Sequence, residues 1–286
     1  MAFTVAITGG ARGIGLATAR AFAGAGAKVA IGDVDDEAAA AAAAQTGATA
    51  HVLDVRDPAS FATFFATIGV PDVLVNNAGV AHGASFLETP GELRDLQIDV
   101  NLRGVVNGLA AALPGMVARG SGHVINVASI AGRIALPNAA MYTATKFAVV
   151  GLTEAVAAEL HGSGVRISAV LPTFVHTEMT DGLPLRGVPT VDPPDVSRAI
   201  LRLVRRGGPA VVTVPRWMGG LPRLATFTPQ MVIDAIRHGS TRPYEDRDER
   251  RAAYEARVRG MLPPASKPRS EGGPASDDER GGEVDH

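Results

Sequence analysis

The sequence contains no cysteine, which excludes disulfides, thiolate nucleophiles and cysteine-based zinc sites together and leaves the redox compartment unconstrained. It also lacks any uninterrupted apolar run near the roughly 18–20 residues that a bilayer-crossing helix needs. Its apolar start, residues 1–7, has no basic leader, is too short for a signal peptide and runs straight into a glycine-rich turn. It reads as a first strand, and a cytoplasmic location is expected. An excess of one charge is missing too: the formal net charge is −2, so no basic field argues for nucleic acid or an anionic membrane. What is present is 46% hydrophobic residues over 286 positions, enough to bury a sizeable core in one ordered domain.

Short β-rich apolar runs recur between longer helical segments, at 3–8, 28–32, 50–53, 73–76, 122–127, 166–171 and 210–214. Seven strands alternating with helices imply βαβ units with right-handed crossovers. The expected fold is α/β: a Rossmann-type, doubly wound, seven-stranded parallel sheet in a single domain, residues 1–215, carrying cofactor and active site. The alanine run after Asp35, Asp36 and Glu37 reads as an acid-started surface helix closed by Gly47, with no function assigned. Residues 216–240 read as a segment covering the pocket or meeting another subunit; Pro222 and Pro229 break any long amphipathic helix that would lie on a membrane. Residues 241–262 read as a charged, solvated helix, and 263–286, rich in Pro, Gly, Ser and acids, as a disordered tail.

Directly after the first strand comes Thr8-Gly9-Gly10-Ala11-Arg12-Gly13-Ile14-Gly15, then an alanine-rich helical segment. Such a turn without side chains serves either tight strand-to-helix packing or the approach of a pyrophosphate to a helix N-terminus. The second strand ends at Asp33, 18 positions after Gly15, where a carboxylate can accept hydrogen bonds from both hydroxyls of an adenosine ribose. That favours NAD over NADP, although Arg12 could pair with a 2′-phosphate. Asp54 and Val55 close the third strand, as a turn or as a grip on an adenine edge.

Tyr142 and Lys146 stand four residues apart on a helix expected over 139–160, so their side chains share a face. A tyrosine with its ordinary pKa near 10 is a poor base at neutral pH, and a nearby ammonium would stabilise the phenolate. Ser129 follows the fifth strand, 13 residues before Tyr142, where its hydroxyl could hold the same substrate oxygen. Taken singly, these residues read as packing, a solvated face and a cap. Together, and downstream of a nucleotide loop, they read as one site.

In these motifs the sequence resembles the short-chain dehydrogenase/reductase family, from about residue 3 to residue 214, on Thr8 to Gly15, Asn76-Asn77-Ala78-Gly79, Asn101, Ser129, Tyr142-x-x-x-Lys146, and Pro172 with Thr177. The resemblance implies that Gly9, Arg12, Gly13, Ile14, Gly15, Asp33, Asp54, Val55, Asn77, Ala78, Gly79, Pro172, Val175 and Thr177 surround the cofactor, with Asn77 supporting the sheet. It implies that Lys146 also binds the nicotinamide ribose, that Asn101 anchors a water relaying protons from Lys146, and that Tyr142 is the acid in reduction and the base in oxidation. It further implies a homodimer or homotetramer, with helices near 92–116 and 139–160 packed across a twofold axis. One departure stands out. Where the family shows Pro-Gly after the sixth strand, this chain has Pro172-Thr173, and threonine lacks glycine's backbone freedom.

Around the substrate, Ile134, Leu136, Phe174, Met179, Leu183 and Leu185 suggest a hydrophobic alcohol or ketone of steroid or lipid-derived kind, with no charged clamp for a carboxylate or phosphate. The lid between Thr177 and Pro193, with Gly182, Pro184, Gly187 and Pro189, is short and expected to leave an open site. His82 and His176 read as surface or packing histidines, because no acid or second histidine gives either a metal-ligand spacing; no metal is expected. The expected function is an NAD(H)-dependent alcohol dehydrogenase or ketone reductase. Two alternatives compete: a non-catalytic NAD(H)-binding sensor or scaffold on the same fold, and a nucleotide-sugar epimerase or dehydratase, which normally has different glycine spacing and a larger C-terminal substrate domain.

Overall fold

A computed structural model of the chain describes residues 3–181, 189–220 and 249–262. Gly182 to Gly187 of the expected lid, the segment 221–248 and the expected tail 263–286 lie outside the described residues.

Strands β1 (Thr4–Thr8), β2 (Lys28–Asp33), β3 (Thr49–Val52), β4 (Val73–Asn76), β5 (Gly122–Val127), β6 (Val165–Pro172) and β9 (Val211–Val214) form one seven-stranded sheet in the order β3-β2-β1-β4-β5-β6-β9. Every pairing is parallel, with Ile7 of β1 beside Ile31 of β2 and Val75 of β4. Helices cover both faces, which is why β1, β4 and β5 are buried along nearly their whole length instead of alternating. On one face α1 (Gly13–Ala23) and α7 (Pro193–Arg206) bury Phe22, Ile200 and Leu203 against Ile7, Ile31 and Val170. On the other, α3 (Pro58–Ile68), α4 (Gly91–Ile98), α5 (Gly104–Arg119) and α6 (Ala140–Glu159) bury Phe61, Phe64, Leu96, Met116 and Val149.

The acid-started helix is α2 (Asp36–Thr46): Asp35 caps it by accepting from Ala38 N at 3.0 Å, and Gly47 ends it in the left-handed conformation at φ 71°. Two features have no counterpart in the sequence pattern. A two-stranded ladder joins β7 (Phe174–Val175) to β8 (Thr190–Val191), and a π-helical turn, Asp99–Arg103, links α4 to α5. The strand order reverses at β1, between β2 and β4, so the crevice for a ligand opens at the carboxyl ends of those strands.

Helix α8 (Glu249–Gly260) corrects the expectation of a solvated helix. Tyr254 and Val258, one turn apart, are 5% and 3% exposed and join the core cluster under α3 to α6, while Arg251 on the same face is 6% exposed. So few apolar positions among so many charges give the helix a docking face that composition conceals.

Candidate active site

The glycine turn lies against the loop that follows β4. Gly9 takes φ 60°, and a Cβ there would stand 2.7 Å from Ala78 Cα, so only glycine lets the two loops touch. Asn77 braces the contact: its Nδ2 donates to Thr8 O at 3.0 Å and Gly9 O at 2.8 Å, and the Asn77 and Ala78 amides both donate to Thr8 Oγ1 at 3.0 Å. Helix α1 then begins at Gly13 with no side-chain cap and no acid in its first turn. Its first amides and the positive end of its dipole are left for an anion. A Cβ on Gly13 would come within 3.2 Å of Thr177 Cγ2, so the missing side chain keeps a passage open between α1 and the segment after β7.

Asp33 lines the same cavity, its carboxylate steadied by the amides of Ala11 (3.1 Å) and Asp35 (3.2 Å). Arg12 Nη2 lies 2.7 Å from Asp35 Oδ2, so the loop's cation is already paired. Asp54 and Val55 are lining residues too, but Asp54 is held in a two-pronged pair with Arg56, at 2.9 Å to Nε and 2.7 Å to Nη2. Burial by itself would raise the Asp54 carboxyl; the Arg56 hydrogen bonds outweigh it and hold the group below its usual value.

Tyr142 stands in the first turn of α6, and Lys146 one turn on is 4% exposed. The Lys146 ammonium donates to Val127 O at 3.1 Å and sits 5.5 Å from the Tyr142 ring centroid. Ser129 leaves β5 extended and caps a short 3-10 turn by accepting from Ala131 N at 3.1 Å. Electrostatics here differ from the sequence expectation. Burial pushes the Tyr142 phenol above its usual value, opposed by a hydrogen bond with Ser129, and burial pushes Lys146 down to about 8. Burial disfavours the charged form of both groups.

Asn101 stands apart from this group. It lies in the π turn, is wholly buried and does not line the cavity. Its Oδ1 accepts from Val80 N at 2.8 Å, and its Nδ2 donates to Val80 O at 2.8 Å and Thr145 Oγ1 at 3.2 Å. Both amide hydrogens are used, so Asn101 positions the β4 loop against α6. Gly15 is likewise behind the cavity wall, where a Cβ would stand 2.2 Å from Gly9 O.

After Pro172, the Thr173 amide donates to Val214 O at 2.9 Å like a strand residue. Asn138 is the only non-glycine with positive φ among the described residues, so the Pro-Thr departure calls on no glycine conformation. Pro172, Val175 and Thr177 line the cavity, as do Leu136, Phe174 and Met179; Ile134 does not, and Leu183 and Leu185 lie outside the described residues. His82 also lines it, 3.9 Å from Glu255, with burial holding its pKa below the usual value. His176 does not line it, and no cluster of three metal-ligating side chains occurs among the described residues.

The cavity, about 390 Å³, therefore gathers the glycine loop, Asp33, Asp54, Ser129, Tyr142 and Lys146. It also contains residues the sequence reading missed: Arg56, Glu178 and, from α8, Arg251, Tyr254 and Arg257. The expectation of a pocket without charge is corrected accordingly. These cations reach the cavity with partners: Arg251 with Glu255, Arg257 with Glu178, both at 3.0 Å or less.

The sequence model described as short chain dehydrogenase matches residues 3–185. The chain belongs to the short-chain dehydrogenase/reductase family. Oxidoreductase UcpA of Escherichia coli is 40% identical over 202 residues, 68% of this chain and 76% of the relative. A 3-alpha-(or 20-beta)-hydroxysteroid dehydrogenase of Mycobacterium bovis is 40% identical over 184 residues, 62% of this chain and 71% of the relative. Among solved structures, a 3-oxoacyl-[acyl-carrier protein] reductase with bound NAD from Brucella melitensis superposes with a TM-score of 0.67 at 31% identity, covering 74% of this chain and 89% of that one. As a short-chain dehydrogenase/reductase, this protein is an oxidoreductase of a family that binds nicotinamide dinucleotides and acts on small molecules. No helix among the described residues is long and apolar enough to cross a membrane.

Proposed function

We propose that the protein is a cytoplasmic NAD(H)-dependent oxidoreductase that interconverts a hydrophobic secondary alcohol and its ketone, with Tyr142 as the acid/base. The observation that carries this reading is one cavity holding Ser129, Tyr142 and Lys146 together with the glycine turn and Asp33. The chain's own residues fit a dinucleotide: α1 begins uncapped, and the bare Gly13 keeps the approach to its N-terminus open. When bound, the nicotinamide supplies or takes the hydride.

Everything else is done by side chains. The Ser129 and Tyr142 hydroxyls line one cavity, so both can meet one substrate oxygen. Tyr142 gives its proton to that oxygen in reduction and takes it in oxidation, and the Lys146 ammonium stabilises the phenolate left behind. Lys146 also holds the nicotinamide ribose, and Asn101 fixes the loop and helix that carry these groups. Asp33 presents a carboxylate to the cavity and Arg12 is committed to Asp35, which supports NAD over NADP. Leu136, Phe174 and Met179 support an apolar substrate, as does the kinship with a hydroxysteroid dehydrogenase.

The test is to offer NAD⁺ and NADP⁺ with secondary alcohols of graded size and to follow the reduced cofactor. Tyr142→Phe lowers turnover by about 10² or more while NADH binding survives. Preference for NADP⁺ would overturn the reading of Asp33, and undiminished turnover by Tyr142→Phe would overturn the acid/base assignment.

A further inference from the structure

The family match ends at residue 185, and α8 lies beyond it, yet α8 lies across the carboxyl edge of the sheet. It is fastened to three loops there. The Tyr254 hydroxyl accepts from Ala81 N at 2.8 Å and donates to Ala81 O at 3.1 Å, in the loop after β4. Arg251 donates to Met179 O at 2.9 Å and Arg257 meets Glu178 at 2.6 Å, in the segment after β7. Past the helix end, Met261 O accepts from Arg56 at 2.8 Å, in the loop after β3.

We propose that α8 completes the substrate pocket and that Tyr254 is a substrate-positioning residue, its ring the wall on which the apolar body of a bulky alcohol or ketone rests. This rests on the oxidoreductase reading and extends it to what selects the substrate. Tyr254 lines the same cavity as Tyr142 and is near enough that the charge of Tyr142 is felt at its phenol. Its own hydroxyl is committed to Ala81, and burial pushes its pKa up to about 12, so it is no second acid/base. What it offers the cavity is its apolar ring. The guanidinium groups of Arg251 and Arg257 lie over that ring, 5.2 and 5.5 Å from its centroid, and hold it in place. A rigid aromatic wall rewards a substrate large enough to touch it and is indifferent to a small one.

The experiment compares full-length wild type, Tyr254→Ala and Tyr254→Phe on menthol and isopropanol with NAD⁺, with NADH affinity followed by its fluorescence. Tyr254→Ala is expected to raise KM for menthol about tenfold, leaving kcat on isopropanol and NADH affinity within about twofold. Tyr254→Phe keeps the ring and is expected to keep the preference. Hydrogen exchange of residues 249–262 is expected to slow when menthol is added. The proposal is overturned if Tyr254→Ala leaves the menthol-to-isopropanol ratio unchanged, if it weakens both alcohols and NADH alike, or if Tyr254→Phe loses the preference as fully as Tyr254→Ala. Absence of turnover by the wild type would instead sink the oxidoreductase reading; menthol-dependent protection of 249–262 that survives in Tyr254→Phe and vanishes in Tyr254→Ala would then still support the wall, and no protection would overturn it.

Discussion

Three buried groups, His123, Tyr142 and Lys146, set the pH behaviour at the scale of single residues. His123, 2% exposed, has only Ser168 for company at Nε2, and burial drives its pKa from 6.5 down to about 3. The unfolded chain takes up this proton below about pH 6.5 and the folded one does not until about pH 3, so stability falls with acidification across that window. By pH 5 the loss reaches about 2 kcal/mol. His123→Leu should show that much less difference in urea-unfolding free energy between pH 7 and pH 5; an unchanged difference would clear His123 of the effect. The catalytic pair titrates on the alkaline side. Oxidation needs the Tyr142 phenolate, and burial pushes that phenol up, so alcohol oxidation should rise as the pH climbs above neutral while ketone reduction does not. Lys146 keeps its charge only up to about 8, so its help to the phenolate is confined to lower pH, and Lys146→Met should lose oxidation most near neutral pH and least well above pH 8. An equal loss at every pH would mean that the ammonium does not act on the phenol.

Among elements, what could be read from the sequence was whatever a strand and its following helix fix locally. The glycine turn between β1 and α1, Asp33 at the end of β2, Ser129 after β5 and the Tyr142 and Lys146 spacing on α6 each carry a local signature, and Gly9, Arg12, Gly13, Ile14, Asp33, Ser129, Tyr142 and Lys146 line the cavity. Ion partners were not legible, because Asp35 meets Arg12 and Glu178 meets Arg257 across long chain separations. Nor was the direction of the Asn101 amide. A π turn rotates the residues after it relative to an α-helix, and nothing in Asp99-Val100-Asn101 announces it. The turn aims Asn101 at the Val80 peptide, whose N–H and C=O would both lose a buried partner in Asn101→Ala. That variant should be destabilised by about 2–3 kcal/mol, seen as a lower urea midpoint. A midpoint equal to wild type would mean that the Val80 loop finds other partners.

On the whole-molecule scale, the buried core accounts for the sheet and its two helical layers but leaves an apolar surface uncovered among the described residues. Helices α5 and α6 present Val106, Leu109, Leu113, Val117, Leu152 and Val156 around a shallow groove of about 480 Å³. Val106 and Val117 are 42% and 43% exposed, and Phe147 on the neighbouring face of α6 is 42% exposed. A contiguous apolar strip on two adjacent helices is the kind of surface that a second copy covers, and the family typically oligomerises. A twofold axis would bring α5 and α6 of one subunit against the same helices of another, and each Val117 would then lie in a dry interface. Val117→Glu would bury an unpaired carboxylate there, which costs several kcal/mol and exceeds what such a contact tolerates. The variant should sediment as a smaller species than wild type while keeping its far-ultraviolet circular dichroism. If both sediment alike as oligomers, the α5 and α6 face is not where the subunits meet. The cavity lies on the carboxyl edge of the sheet and not on this strip, so the NADH affinity of a properly folded Val117→Glu should stay within about twofold of wild type.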